Sequence, residues 1–356
     1  MRLSIVKRQE PLPGGSFFIL AGALVFSLSI SALLLALQGK SALGGLYVLW
    51  HGAFGAGYAL VDTILKSVPI YLCGLGVAVA FRMQIWNIGA EGQFAMGAVG
   101  ATWAALTFPE APAALVLPLM FACAALAGGA FAFIPAWLKT RLKVNEIIST
   151  LMLNYIAILF LDYLVYGPWK EKRSFGFPMT AQFSDAAVID GIGGSRLHWG
   201  LVVCVLAGIL VFVMLRFTRL GFELKASGSA ARASRYARMP YDALVWTVMA
   251  ICGALAGTAG LIETSATVNR LQPSVMAGYG YTAIVVAWLA RLNPLTIALA
   301  AFFLAGLRVG VENLQLELQV PAAFGNIMEG LILLSVLAGQ FFQTYSLKLS
   351  LGRRVG

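Results

Sequence analysis

The stretch from Phe17 to Leu37 reads FFILAGALVFSLSISALLLAL and contains no charged side chain. A helix that crosses the hydrocarbon core of a bilayer needs roughly 20 consecutive apolar residues, and this run supplies them. It is too long for the apolar core of a secretory signal. Basic residues precede it (Arg2, Lys7, Arg8) and no convincing small-residue cleavage site follows. It therefore reads as a retained first spanning helix.

Working outward, the remaining chain is of the same kind. Of 356 residues, 60% are apolar and only 11% charged, and the mean hydropathy is +0.85. Soluble domains carry about 25% charged residues because they must cover themselves with polar surface. That surface is missing, so lipid is the expected solvent. The 38 glycines suit helices that approach one another closely. Hydropathy predicts an all-α integral membrane protein: one transmembrane domain over residues 1–356 with about ten spans. Their approximate cores are 17–37, 60–81, 90–107, 112–137, 145–166, 198–215, 243–262, 278–290, 295–311 and 325–345. With both termini on the cytoplasmic side, 17 of the 25 lysines and arginines fall inside, as the positive-inside rule requires. The same rule accounts for much of the +10 net charge, so nucleic-acid binding is not needed to explain it. An external loop is predicted at 167–197, and a cytoplasmic loop at 216–242 that holds the densest basic cluster.

Two segments carry polar chemistry. The first, Asn87-Ile88-Gly89-Ala90-Glu91-Gly92-Gln93, puts three polar side chains at the mouth of an apolar helix. A carboxylate beside lipid is expensive, so Glu91 is expected to face protein or a water-filled cavity. The interleaved glycines permit irregular backbone, tolerable at membrane depth only where it lines a cavity or packs on protein. Asn87 and Glu91 share a face if the stretch is helical. An ordinary helix-start glutamate satisfying orphan amides is an equal alternative. Asn154, in the middle of a predicted span, could bind substrate or bridge helices. The aromatics Trp86, Tyr155, Tyr279 and Tyr281 could stack on a nucleobase, or simply anchor and pack.

The second segment runs from Gly221 to Pro240. Ser229 is a candidate N-cap for a short polar helix over 230–238, suited to docking on a partner, with Pro240 as its stop. A weak internal echo exists between 82–106 and 270–290: Arg82-Met83-Gln84 and Arg270-Leu271-Gln272 each precede a glycine-interrupted helix, on opposite faces, as inverted repeats require, with a chance match as an equal alternative.

These segments together resemble the permease subunits of ABC importers in the branched-chain amino acid, ribose and nucleoside permease superfamily. The stretches Asn87–Gln93, Val144–Ile156 and Gly278–Pro294 are similar to its nucleoside-type branch, and the similarity covers about residues 60–345. The sequence departs from the pattern at Trp86, where phenylalanine is usual, and at Ser229, where asparagine is common. The resemblance implies a type II-like importer that alternates access to a central pathway. Its partners would be cytoplasmic ABC ATPase subunits, an external substrate-binding protein and a second homologous permease, a heterodimer being favoured over a homodimer. Nucleosides are the implied substrate, with ribose or another simple sugar as the alternative. Asn87, Glu91, Gln93 and Asn154 are the candidate pathway or gate residues. Glu223, Lys225, Ser229, Arg232, Arg235 and Tyr236 are the candidates for ATPase coupling.

No catalytic residue, metal site or cofactor is expected. Cys73, Cys123, Cys204 and Cys252 lie in apolar segments without metal-ligand spacing, and His51 and His198 sit in predicted loops. Gly39-Lys40-Ser41 mimics the end of a P-loop, but Leu34 stands where its first glycine is required. An ion-coupled secondary transporter is the rival class. It normally needs deep carboxylates, and only Glu91 and Asp162 qualify.

Overall fold

The computed structural model describes residues 2–7, 15–230, 234 and 236–350. The helices are α1 (Gly15–Leu37), α2 (Ala42–Trp50), α3 (Gly57–Arg82), α4 (Ala90–Thr107), α5 (Ala113–Leu142), α6 (Glu146–Tyr166), α7 (Gly200–Phe217), α8 (Arg219–Ser229), α9 (Tyr241–Ile262), α10 (Tyr279–Leu289), α11 (Pro294–Leu318) and α12 (Ala322–Thr344). Each of the ten hydropathy segments coincides with one of them. Among the described residues, six (α3, α5, α6, α7, α9 with its extension to Val268, and α11) are long and apolar enough to cross a membrane by length and composition. Alongside the helices, β1 (Arg2–Lys7) pairs antiparallel with β2 (Tyr345–Ser350), Arg2 opposite Ser350 and Lys7 opposite Tyr345.

Helix α2 was not foreseen. Ser41 caps it, its hydroxyl accepting from the Gly44 amide, and a π-turn follows over His51–Gly55, so His51 is helical rather than in a loop. With two glycines among its nine residues (and two more in the π-turn), hydropathy alone does not separate the pair from a connection.

The chain divides into two compact units, Met1–Leu60 with Gly306–Gly356, and Val61–Ala305. In the first, Leu35, Leu49, Val311, Leu314, Phe324 and Met328 form one core, and the Asn313 amide donates to the Gly52 carbonyl at 3.1 Å. In the second, α4, α5 and α9 pack most closely. A Cβ added to Gly97 on α4 would land on the Gly257 backbone of α9, and one added to Gly257 would strike the Ala124 carbonyl of α5. Small residues at such crossings let backbones meet, which is how helices gain contact where lipid removes the hydrophobic drive between them. The segment 180–189, which includes a 3-10 turn at Asp185–Ala187, then lies along the chain that follows α9: Thr180, Phe183 and Ile189 donate their amides to the carbonyls of Leu271, Asn269 and Ser265.

Gly257→Val is expected to lower the thermal midpoint of the detergent-purified protein, since overpacking a close contact costs about 1–3 kcal/mol. Ala298→Val, at an exposed position of α11, should move it less. Equal midpoints for the two variants would contradict the backbone contact.

Candidate functional site

Between α3 and α4 the backbone leaves the helix for residues 83–89 and turns at Gln84, whose φ is 60°. The matching segment after α9 is also irregular: Asn269 is left-handed, Pro273–Val275 forms a single 3-10 turn, and Gly278, with φ 82°, starts α10. These are the two stretches marked by the internal echo. The helices that they lead into meet at their N-termini, where a Cβ on Gly280 would collide with the Glu91 amide nitrogen.

Glu91 joins the two. Its carboxylate oxygens accept from the backbone amides of Gly278 (2.9 Å) and Gly280 (2.6 Å). It stands in the first turn of α4 and caps the first turn of α10, so one carboxylate faces the positive ends of two helix dipoles. The helix-start alternative thus has the right chemistry, but the amides belong to another helix. The opposite end of α10 is held by the same irregular segment. Trp86 stacks on Trp288 at 5.3 Å with Phe81 beside both, and the Arg82 guanidinium donates to the Leu292 carbonyl at 3.3 Å.

Asn87 is not on a helix with Glu91, because α4 begins only at Ala90; the shared-face expectation is corrected. Instead Asn87 and Gln93 form a reciprocal amide pair at 3.1 Å in each direction. The Asn87 oxygen also accepts from the Gly89 amide, and its nitrogen donates to the Cys252 sulfur at 3.0 Å. Asn154 bridges three elements. Its oxygen accepts from the Gly92 amide (2.8 Å), and its nitrogen donates to the Ile88 carbonyl (2.8 Å) and the Tyr281 hydroxyl (3.3 Å). Thr150, one turn earlier on α6, accepts from the Ile88 amide. The sequence reading missed Thr150 and Cys252. Thr150 was legible as the i−4 neighbour of Asn154, whereas nothing in a lone cysteine marks it as a hydrogen-bond acceptor. Asn87, Glu91, Gln93 and Asn154 are each at most 2% exposed, so they make one buried polar knot.

The second candidate segment differs from expectation. Thr218 caps α8, its hydroxyl accepting from the Gly221 amide. Ser229 ends this helix and bonds back to the Lys225 carbonyl at 2.8 Å, so it is no N-cap. A serine serves either role, and the glycines at 221 and 228, weak helix formers, hid the helix that forms. Within α8, Glu223 pairs with Arg219 at 2.7 Å. Lys225 lines a groove of about 450 Å³ with Arg82, Arg216, Phe217 and Phe222. Tyr236 is almost fully exposed. Arg232 and Arg235, with residues 231 and 233 of the predicted 230–238 helix, lie outside the described residues.

Residues 59–337 match the family described as the permease component of branched-chain amino acid transport systems. The chain belongs to this family. The permease is 36% identical to the glucose ABC transporter permease protein of Haloferax volcanii, over 83% of this chain and 80% of that one. It is 35% identical to the guanosine ABC transporter permease protein of Bacillus subtilis, over 93% and 94% respectively. A nucleoside ABC transporter permease protein of Lactococcus lactis is 28% identical over 82% and 83%. The permease is therefore a multi-pass membrane subunit of an ABC transporter, the transport component that works with an ATPase and a substrate-binding protein.

Glu91→Gln places an amide NH2 where one of two backbone amides now donates, leaving two donors facing each other. An unsatisfied buried polar group costs about 1–3 kcal/mol. Asn154→Leu strands the Gly92 amide and the Ile88 carbonyl and should cost at least as much. Thermal unfolding in detergent reads both, and wild-type midpoints would show that the knot does not hold the two helix starts.

Proposed function

We propose that this permease forms half of the translocation pathway of a nucleoside importer, as a single transmembrane domain of about ten spans with both termini cytoplasmic. The observation that carries the substrate is the likeness to the guanosine permease across nearly the full length of both chains. The equally similar glucose permease favours a simple sugar as the second reading. Positive charge places the 216–242 loop inside, where α8 and the residues after it, including Glu223, Lys225, Ser229, Arg232, Arg235 and Tyr236, would engage the ATPase. The 167–197 loop lies outside, toward the binding protein. A second, homologous permease completes the pathway, a heterodimer being the favoured assembly. Asn87, Glu91, Gln93 and Asn154 act on the pathway from behind its wall: buried and fully bonded, they set where α4 and α10 begin. The chain is non-catalytic. It has no P-loop, so ATP hydrolysis belongs to the separate ATPase.

The test is uptake into vesicles holding the complete transporter and its binding protein. ATP-dependent, saturable uptake of labelled guanosine is expected, competed by other nucleosides and not by glucose or ribose. Uptake of either sugar with none of guanosine would establish the second reading instead. The purified permease alone should neither bind nor hydrolyse ATP.

Coupling is tested separately by Ala226→Pro. A proline inside α8 costs about 3 kcal/mol of helix stability, so uptake should collapse while membrane insertion survives. Full uptake and ATPase association in that variant would remove α8 from the coupling path.

A further inference from the structure

The outward surface of the second unit is not uniform. Along α7, ahead of Arg216 and Phe217 at its end, the exposed side chains are Val202, Val205, Leu206, Ile209, Leu210 and Val213, an aliphatic face that lipid solvates without cost. On α6 the exposed face interleaves apolar side chains such as Met152, Ile156 and Leu159 with Tyr155, 57% exposed, and carries Tyr163, half-buried Asp162 and Tyr166 toward its end. Tyrosines belong at the two membrane–water interfaces, where the hydroxyl finds water, and Tyr166 at the end of α6 fits that rule. Tyr155 does not. It stands nine residues after Glu146 and eleven before Tyr166, roughly 14 and 16 Å from the ends of the helix at 1.5 Å per residue. A phenol left without a partner in hydrocarbon at that depth is costly.

A second tyrosine lies within electrostatic range of it. Tyr281, 36% exposed on α10, takes its hydrogen bond from Asn154, the residue immediately before Tyr155. The buried knot therefore bonds one tyrosine and is next in sequence to the other, and both side chains are partly exposed. Aromatic faces accept planar heterocycles by stacking, and hydroxyls at the ring edge add hydrogen bonds to their polar rims.

We propose that Tyr155 and Tyr281 form an aromatic pair on the wall of the translocation pathway that contacts the planar base of the transported nucleoside. The assignment rests on the nucleoside reading above for its ligand, but not for the placement of the pair on a water-filled face. Asn154 is a positioning residue, holding the Tyr281 ring at the angle that presents it beside Tyr155.

The experiment uses the complete transporter in vesicles, with the permease in a background lacking Cys73, Cys123, Cys204 and Cys252. Tyr155→Cys should react with a charged, water-soluble thiol reagent, at rates that differ between the nucleotide-free and vanadate-trapped states, and guanosine should slow the reaction. Leu206→Cys on the aliphatic face of α7 should stay unreactive. Tyr281→Leu should lower kcat/KM for guanosine by about tenfold or more, the effect of losing one base-stacking ring, whereas Tyr281→Phe should stay within a few-fold. Assembly with the ATPase, read by co-purification, controls for folding. If Tyr155→Cys is as unreactive as Leu206→Cys in every nucleotide state, the face lies in lipid or against the second permease and the proposal falls. Wild-type guanosine kinetics in Tyr281→Leu would overturn the ring contact. Should the wild-type transporter carry ribose or glucose and no guanosine, the nucleoside reading and the base contact fail together, and the labelling pattern still decides whether the pair faces water.

Discussion

A single carboxylate holds the centre of this permease together. Two helices, α4 and α10, begin in buried protein, and each start leaves backbone amides without intrahelical partners. In water such amides are solvated. Inside a membrane protein each needs a protein acceptor, or costs several kcal/mol. Glu91 answers both needs at once: it belongs to the first turn of α4 and accepts from Gly278 and Gly280 at the start of α10. The charge that would be prohibitive against lipid is stabilised by two aligned helix dipoles, and the broken helices are in turn made possible by the charge.

The surrounding polar groups follow from that arrangement. A backbone that runs irregularly through residues 83–89 must also find partners, and it takes them from side chains. Asn154 and Thr150 on α6 serve Ile88 and Gly92, and Asn87 turns back on Gly89 and Gln93. Each amide side chain uses both donor and acceptor, which fixes its orientation. A network satisfied on every side is rigid, and rigidity suits elements that must keep their register while other helices move during alternating access. The glycines serve the same end by geometry. At Gly280 and Gly92 there is no room for a Cβ, because the Glu91 and Asn154 backbones stand there.

α10 is also clamped at both ends by one stretch of chain. Glu91 holds its start, while Trp86 and Arg82 hold the end near Trp288 and Leu292. A movement of the 81–91 segment therefore carries α10 with it as a unit. Arg82 also lines the groove beneath α8. The polar knot, the half-length helix and the segment assigned to coupling are thus joined through contiguous contacts.

Much of this was legible in the sequence. The ten apolar segments, the break after Arg82, the importance of Asn87–Gln93 and the echo at Arg270 all follow from what lipid demands of a chain, because a missing charge or a lone carboxylate carries its meaning locally. Helix α2 and the position of α8 were hidden, since glycine and serine are compatible with several local structures and tertiary contacts choose among them. What the sequence could not say is whose amides Glu91 would cap, or that a cysteine at 252 would accept from Asn87. Those partners lie more than 160 residues apart along the chain. Only the packing of α4 against α9 and α10 brings them together, because a hydrogen bond is decided by distance and direction in space, which a linear spacing does not contain.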